Sequence, residues 1–506
     1  MSPSRVVLDG KRLSIEQTVR AARHSVRVSI APSAVRRMER SRRWVEDAVR
    51  RRHIVYGVTT GFGWFQNVSI PREKLQQLQR NLILSHCAGV GEPFAEEVVR
   101  AMLLLRANAL ARGVSGIRIA TVKLMLEMLN RGVHPIVPEQ GSVGASGDLA
   151  PLSHLAAVLL GEGEAMYRGR RLPGAEALKS AGLKAMVLEA KEGLALNNGT
   201  QAMTAVGVLA LHDAEVLAEV ADRAAAMTLA AVKGKTMPFL PRVHTLRPHA
   251  GQAVSARAIR RLVRGSQLVD GIDDDTRGKV QDSYSLRCAS QVHGASRDAL
   301  GYVRRVLETE INSATDNPLI VVDDDIAYNA GNFHGQPVAL AMDFLGLAVA
   351  ELGNISERRT AKILDRNHSY GLPPFLARHG GLESGLMIAQ YTAASLVSEN
   401  KVLIHPSSGD SIPTSANQED HVSMGTTAAR HARQIVRNVS RVLAIELLCA
   451  SRAIESRKEE PGPGIRRILR TVRSVVPRRE GDAALSQAIE QLSELVLSGT
   501  FSTTRS

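Results

Sequence analysis

Long apolar stretches, each bounded by glycine- or proline-rich segments, most limit how this chain can fold. They are rich in Ala, Leu and Val, whereas aromatic residues make up only 3% of the 506 residues. Such a composition favours helices, because sheets are enriched in aromatic and β-branched residues. The pattern predicts helices over 198–233, 337–366, 382–403 and 418–457, and over 101–130 with a break near 113–116. Several are apolar nearly all round, which predicts burial in a bundle.

The chain is longer than a single hydrophobic core supports, so it is expected to divide into several regions. Residues 1–200 mix loops with short helices and carry two glycine-rich loops, whereas residues 201–458 form the long central helical bundle. A rigid Pro-Gly turn at 459–464 precedes a basic helical tail, residues 459–506. The overall prediction is a mainly α protein with a smaller mixed N-terminal region.

Net charge and cysteine content narrow the class of protein further. The formal charge is +14, but acidic residues interrupt the densest arginine cluster and no nucleic-acid motif accompanies it. A solvated helix face is therefore the favoured interpretation over a nucleic-acid partner. The three cysteines, Cys87, Cys288 and Cys449, are far apart and form no metal-ligand pattern.

With no apolar signal core and no 18-residue apolar run, we expect a soluble cytoplasmic protein without a membrane partner.

The segment 141–150 has the sequence Gly-Ser-Val-Gly-Ala-Ser-Gly-Asp-Leu-Ala. Its glycines do not have the spacing of a dinucleotide fingerprint, and the lysine of a P-loop is missing. The other interpretation is that Ala145-Ser146-Gly147 cyclises by itself. In this reaction the Gly147 nitrogen attacks the Ala145 carbonyl, and the loss of two waters leaves a methylidene-imidazolone ring. Gly at the third position permits the tight turn, and Ser146 supplies the leaving hydroxyl.

Three polar segments are predicted to lie at the starts of apolar helices. Asp148 has the position of an N-cap before Leu149, Asn198 precedes the helix predicted over 198–233, and residues 415–419 open the last long helix. Ser415 and Gln418 also have the spacing of a capping box. If these starts converge, their positive dipole ends favour an electrophile and a bound carboxylate in one cavity.

Other candidate residues each have a structural alternative. Tyr56, in the glycine-rich loop 56–63, is either a packing anchor or a general base whose pKa cations or dipoles lower. His86 is either a satisfied, partly buried imidazole or a metal ligand, and the first is favoured because no second ligand stands at metal spacing. Tyr284 and Arg287 share one face if helical, and Arg287 either grips a carboxylate or forms a buried ion pair.

Taken together, these strings resemble the histidine/phenylalanine ammonia-lyase family. The matching segments cover nearly the whole chain in order: 56–63, 84–93, 141–163, 193–201, 281–294, 312–318, 331–337 and 405–425. Ser85-His86, residues 331–334 and residues 414–421 are of the type found in members that act on histidine. The sequence departs from the family at Asn197, Ser283 and Ser290, where an apolar residue or prolines are usual, and also at Ser408-Gly409.

The resemblance implies a long-helix bundle of the fumarase/aspartase-like type that assembles as a homotetramer, with three subunits building each active site. It implies the elimination of ammonia from L-histidine to give trans-urocanate. The electrophile is a 4-methylidene-imidazol-5-one ring formed autocatalytically from Ala145, Ser146 and Gly147, with Ser146 as 2,3-didehydroalanine. No metal ion or pyridoxal phosphate is required.

The same resemblance assigns roles to individual side chains. Tyr56 removes the β-proton, and Arg287 holds the substrate carboxylate. Tyr284, Asn198, Gln281 and Phe333 support the ring and the amine, while His86 and Glu419 recognise the imidazole. A phenylalanine or tyrosine ammonia-lyase and an aminomutase remain alternatives, because they use the same ring. A basic nucleic-acid-binding helical protein is the alternative of a different class.

Overall fold

Short strands and helices alternate over the first 200 residues. The computed structural model describes residues 5–271, 276–277 and 279–501, so the outermost residues of the regions predicted at 1–200 and 459–506 lie outside it. In chain order the elements are β1 (Arg5–Leu8), α1 (Ile15–Arg23), β2 (Arg27–Ile30), α2 (Pro32–Arg50), α3 (Leu75–His86), β3 (Val90–Pro93), α4 (Glu96–Leu110), α5 (Ile119–Arg131), β4 (Val133–Pro135), β5 (Pro138–Gln140), α6 (Leu149–Leu159), β6 (Glu164–Tyr167), β7 (Arg170–Pro173), α7 (Gly174–Ser180) and α8 (Glu192–Asn197). Strands β1 and β2 pair in parallel, whereas β3–β5 and β4–β6–β7 are antiparallel.

Long helices dominate the remainder of the chain. They are α9 (Gln201–Ala231), α10 (Pro241–Thr245), α11 (Ala250–Val263), α12 (Tyr284–Arg287), α13 (Ala289–Glu310), α14 (Gln336–Leu364), α15 (Met387–Leu403), α16 (Gly425–Glu455), α17 (Pro463–Arg473) and α18 (Ser486–Leu497), with the antiparallel hairpin β8 (Leu319–Val321) and β9 (Ile326–Tyr328) between α13 and α14. Helices account for 58% of the chain, which confirms the predicted mainly α class.

The structure divides into two compact units. The first contains Met1–His212, Arg304–Asp343 and Pro406–Arg430, and the second contains Asp213–Val303, Phe344–His405 and His431–Ser506. The three predicted regions follow chain order, whereas each unit is assembled from three separate segments.

Most of the predicted helices are present, but two begin five or more residues later than expected. Helices α4 and α5 are separated at the predicted break, and α9 and α14 lie within three residues of their predicted bounds. Helix α15 begins at Met387 instead of 382, and α16 begins at Gly425 instead of 418. Ser415, Ala416 and Asn417 all have positive φ, between 52° and 66°, so they cannot form the first turn of a right-handed helix. The predicted capping box is therefore wrong.

Helix α14 is long and apolar enough to cross a membrane by length and composition alone. However, 61% of its most apolar stretch is buried inside the structure. This is the pattern of a core helix, and α9 is likewise buried on all sides for most of its length.

A buried histidine in the first unit predicts acid sensitivity. His134 accepts a hydrogen bond from Arg100 (Nη1 to Nε2 3.0 Å), and burial lowers its pKa to about 4. Below pH 6.5 the unfolded chain binds this proton and the folded chain does not, so stability is lost as pH falls. We expect His134 to reduce the free energy of unfolding by about 2 kcal/mol between pH 7.5 and pH 5. Denaturation of wild type and His134→Gln at both pH values measures this difference, and equal pH dependence in the two proteins would contradict it.

Candidate active site

An open cavity in the first unit collects most of the predicted site residues. It has a volume of about 2010 Å³ and is lined by loops, the end of α3 and the start of α6. Seven predicted residues line it: Tyr56, His86, Ala145, Ser146, Asn198, Phe333 and Glu419. Gly147 lies directly behind this lining, whereas Gln281, Tyr284 and Arg287 belong to the second unit and do not line the cavity.

The backbone at Gly147 requires glycine. Its φ is +70°, and a Cβ atom there would lie 2.2 Å from the carbonyl oxygen of Gly199. The neighbouring amide of Asp148 donates to the same oxygen at 2.7 Å, so this approach is fixed. Ser146 directs its hydroxyl to Glu419 (Oγ to Oε1 3.1 Å), and Ala145 is buried. The tripeptide therefore meets the requirements for cyclisation, namely a third residue without a Cβ and a middle residue with a hydroxyl to lose.

Asp148 occupies the N-cap position of α6, but its carboxylate caps a different helix. Oδ2 accepts the backbone N–H groups of Ala202 and Met203, both at 2.9 Å, at the start of α9. Oδ1 accepts the hydroxyls of Ser142 and Thr426, and no side-chain bond is made to α6. Burial raises the pKa of Asp148, whereas each of these four hydrogen bonds lowers it.

This arrangement corrects the predicted convergence of three helix N-termini. Asp148 covers the positive end of α9, and α16 begins six residues after Glu419. Of the three, only α6 begins with residues of the cavity wall, because Ser146 and Leu149 both line it. The expected positive environment is thus supplied locally by one helix.

Tyr56 lies in the cavity wall, edge-on to Phe62 with ring centroids 6.5 Å apart. Its hydroxyl accepts the N–H of Gly63 at 3.2 Å. Burial raises the pKa of Tyr56, the Gly63 dipole lowers it, and the charge of Glu419 raises it again. The lowered pKa that a general base needs is therefore not produced within the first unit.

His86 and Glu419 are two polar residues that line the same cavity as Ser146. His86 is the last residue of α3, and its Nδ1 lies 3.0 Å from the Ser85 hydroxyl. Burial lowers the pKa of His86, whereas the Leu82 carbonyl and Glu419 act in the opposite direction. Glu419 accepts the Thr414 hydroxyl at 3.2 Å, within a loop closed by backbone bonds between these two residues.

Asn198 offers a free acceptor at the cavity. Its Nδ2 donates to the carbonyl of Asn317 at 3.2 Å, while its Oδ1 is buried without a hydrogen-bond partner among the described residues. The neighbouring Asn197 is fully buried and donates to Ser153 of α6 at 3.1 Å. This departure from the family therefore concerns packing behind the cavity, because Asn197 does not line it.

In the second unit, Tyr284 and Arg287 share one face of the single-turn helix α12, as their spacing predicts. The Arg287 guanidinium lies over the Tyr284 ring, 4.4 Å from its centroid. Its Nε is buried without a partner among the described residues, and Tyr284 is 71% exposed. Gln281 is also exposed. The buried ion pair that was the structural alternative for Arg287 is not found in the described part of the chain.

Several contacts around this cavity could not be foreseen from the sequence. His334 and His421 line it and stack with their ring planes 5° apart and centroids 5.5 Å apart. Behind Asn198, the fully buried Lys191 pairs with Asp316 at 2.9 Å. Both histidines belong to segments that resemble the family, 331–337 and 405–425. Periodicity, however, cannot show that side chains from two distant loops stack on each other. Among the described residues, no cluster of three or more His, Cys, Asp or Glu side chains is suited to a metal ion.

Comparisons with known proteins agree with this geometry. Residues 13–474 match the aromatic amino acid lyase family. The chain is 56% identical to a histidine ammonia-lyase of Gloeobacter violaceus, over 98% of this chain and 96% of that protein. It superposes on the histidine ammonia-lyase of Trypanosoma cruzi with a TM-score of 0.91, at 43% identity over 98% of this chain and 94% of the other. A tyrosine aminomutase from Streptomyces globisporus gives 0.93 at 39% identity, covering 98% and 97%.

The family match and the relatives named histidine ammonia-lyase, together with the helical fold, identify the class of protein. The chain belongs to the aromatic amino acid lyase family. It is a carbon–nitrogen lyase.

Proposed function

We propose that this chain eliminates ammonia from L-histidine to give trans-urocanate, the first step of histidine degradation. The observation that carries the proposal is the presence of His86 and Glu419 in the same cavity wall as Ser146. An imidazole ring needs hydrogen-bond partners, and an apolar pocket would leave its nitrogens unpaired. The high identity to histidine ammonia-lyases over the full chain supports the same substrate.

The cofactor proposed here is the 4-methylidene-imidazol-5-one ring made from Ala145, Ser146 and Gly147. The positive φ of Gly147 and its contact with Gly199 fit this group, as does the position of Ser146 in the cavity wall. When formed, the ring supplies an electrophile that makes the amine a better leaving group.

The other roles are assigned to the chain's own side chains. Tyr56 takes the β-proton as general base, and Glu419 accepts from the imidazole and helps to move its proton. Asn198 offers its unpaired Oδ1 to the substrate ammonium, and Phe333 covers the cavity beside it. Arg287 grips the substrate carboxylate with its planar guanidinium.

A homotetramer is the proposed assembly, since Gln281, Tyr284 and Arg287 do not line the cavity of the first unit. In this assembly other copies of the chain supply those residues, and the charge of Arg287 lowers the pKa of Tyr56. Helix α14 leaves large apolar side chains exposed at helical spacing, including Leu340 and Phe344, as an interface between copies requires. We place the enzyme in the cytoplasm, without a nucleic-acid or membrane partner.

The test is a comparison of L-histidine with L-phenylalanine and L-tyrosine for wild type, His86→Phe and Glu419→Gln. Formation of urocanate from histidine is followed in the ultraviolet. His86→Phe should lower turnover of histidine about ten- to a hundredfold, because one buried ring nitrogen loses its partner. Glu419→Gln should lower the turnover of histidine further, because the amide cannot accept a proton. The activity on L-phenylalanine should be higher in His86→Phe than in wild type.

Glu162→Gln is the matched control, because this exposed carboxylate pairs with Arg80 outside the cavity. It should process all three substrates as the parent does. Undiminished histidine turnover in both cavity variants would overturn the assignment of substrate. A product that retains nitrogen at Cβ would instead identify an aminomutase.

A further inference from the structure

A second cavity lies within the second unit, formed by segments that the proposed reaction does not use. Its walls are the loop before α15, the last turns of α16, and the chain from the end of α17 to the start of α18. Its interior volume is about 140 Å³, and the cavity opens to solvent through a wide mouth.

The inner wall of this cavity is apolar. Leu376, Leu386, Leu448 and Val476 line it, and each is less than 9% exposed. These side chains come from three separate segments of the chain, so the wall is a product of tertiary packing. It provides a surface against which a flat apolar group loses contact with water.

Arginines dominate the rest of the lining. Five line the cavity, namely Arg378, Arg452, Arg473, Arg478 and Arg479, and Glu455 is the one carboxylate among the lining residues. Two of the arginines are neutralised. Arg473 forms a two-pronged pair with Glu455 at 2.7 and 2.8 Å, and Arg378 pairs with Glu480 at 2.6 Å.

The three remaining arginines lack such a partner in the described part of the chain. Arg478 approaches Glu455 only to 4.0 Å, and Arg452 makes a long bond of 3.4 Å to the carbonyl of Gly481. The nearby Asp482 accepts the backbone N–H groups of Ser384 and Gly385, both at 2.8 Å, and keeps its negative charge. Five arginines against the carboxylates of Glu455, Glu480 and Asp482 leave two positive charges in excess beside the apolar wall.

Helix α18 adds to this positive character. The N-cap residue Leu485 and the helix residue Gln487 line the cavity, and no side chain among the described residues caps the N-terminus of α18. The N–H groups of a first turn and the helix dipole both favour an anion. Arginine side chains bind carboxylate and phosphate oxygens in pairs.

We propose that this cavity binds a small organic anion, with a carboxylate or phosphate group held by Arg452, Arg478 and Arg479 and a flat apolar body against the inner wall. The site is separate from the proposed reaction and does not depend on it. Arginine recognises a carboxylate and a phosphate by the same paired hydrogen bonds, and probes that carry one or the other group distinguish them.

Calorimetric titration of the full-length protein tests the proposal with phenyl phosphate and phenylacetate as probes. Inorganic phosphate and benzyl alcohol present the charge and the apolar body separately. We expect at least one aromatic anion to bind at one site per chain, at least tenfold more tightly than either fragment. The tighter of the two aromatic anions identifies the anionic group.

Arg478→Gln combined with Arg479→Gln should weaken this binding at least tenfold. Both side chains are exposed, and an unchanged melting temperature without probe verifies that the variant folds. The matched control, Arg466→Gln combined with Arg467→Gln, removes the same charge from exposed positions of α17 outside the cavity and should change affinity less than twofold. Ser146→Ala should leave binding unchanged.

Four results would overturn the proposal. The first is the absence of saturable binding by both aromatic anions. The second is equal affinity in the cavity variant and wild type, or an equal loss in the α17 control, which would indicate general attraction to a basic chain. The third is loss of binding in Ser146→Ala, which would place the probe in the active-site cavity. The fourth is that inorganic phosphate binds as tightly as phenyl phosphate, which would refute the proposed ligand class.

Discussion

Ser146→Ala is expected to abolish ammonia elimination, because alanine has no hydroxyl to lose and the electrophile cannot form. Among the described residues of the cavity wall, no other group has this chemistry, because the remaining polar side chains are a phenol, an indole, imidazoles, amides, carboxylates and the hydroxyl of Ser415, which no glycine follows. We expect turnover to fall by a thousandfold or more, which corresponds to about 4 kcal/mol or more of activation free energy. Intact-mass spectrometry should show wild type two waters lighter than its sequence and the variant without this deficit.

Ser153→Ala is the control for this experiment. Ser153 is a buried serine on α6 that accepts from Asn197 and does not line the cavity. Its replacement should retain the missing mass of two waters, because the tripeptide is intact. A wild-type chain of unmodified mass with full activity would refute the ring, and so would an active Ser146→Ala protein.

Tyr56→Phe is expected to lower kcat by about a hundred- to ten-thousandfold, the usual contribution of a positioned general base. The phenyl ring keeps its contact with Phe62, whereas the hydroxyl that accepts from Gly63 is lost. The KM for histidine should change much less than kcat, since the imidazole and carboxylate are recognised by other residues. Steady-state kinetics with histidine separate the two parameters.

The pH profile gives an independent measure of the same role. Since a base acts in its deprotonated form, kcat/KM should rise with pH as Tyr56 ionises, and this limb should be missing in Tyr56→Phe. Tyr167→Phe, a change on β6 outside the cavity, should leave both kcat and the profile unchanged. If Tyr56→Phe retains kcat within threefold of wild type, the β-proton is taken by another group, and Glu419 is one candidate in the cavity wall.

Helix content followed from composition, because Ala- and Leu-rich stretches between glycines and prolines have few other stable conformations. The bounds of α9 and α14 were therefore predicted within three residues. The start of α16 was not, since residues 415–417 adopt left-handed backbone that no periodicity reveals. That same loop carries Glu419 to within hydrogen-bond distance of Ser146, 273 positions earlier in the chain.

Asp148 illustrates a second limit of local reasoning. Its position before α6 predicted a local cap, yet its carboxylate binds the first N–H groups of α9, more than fifty residues away. A local rule identifies a residue that can cap a helix, but not which helix start the fold brings to it. The role of Asp148 therefore became visible only in the folded chain.

The sequence by itself determined the helical class, the cyclisable tripeptide and the identities of the polar residues, because these depend on residue type and short spacing. Tertiary structure decided which of them share a cavity. It joined Tyr56, His86, Ser146, Asn198 and Glu419, and it left Gln281, Tyr284 and Arg287 in the second unit. It also assembled the arginine-lined cavity from three distant segments. The physical reason is that burial of apolar helix faces is non-directional, so proximity between distant polar loops is fixed only when the whole core is packed.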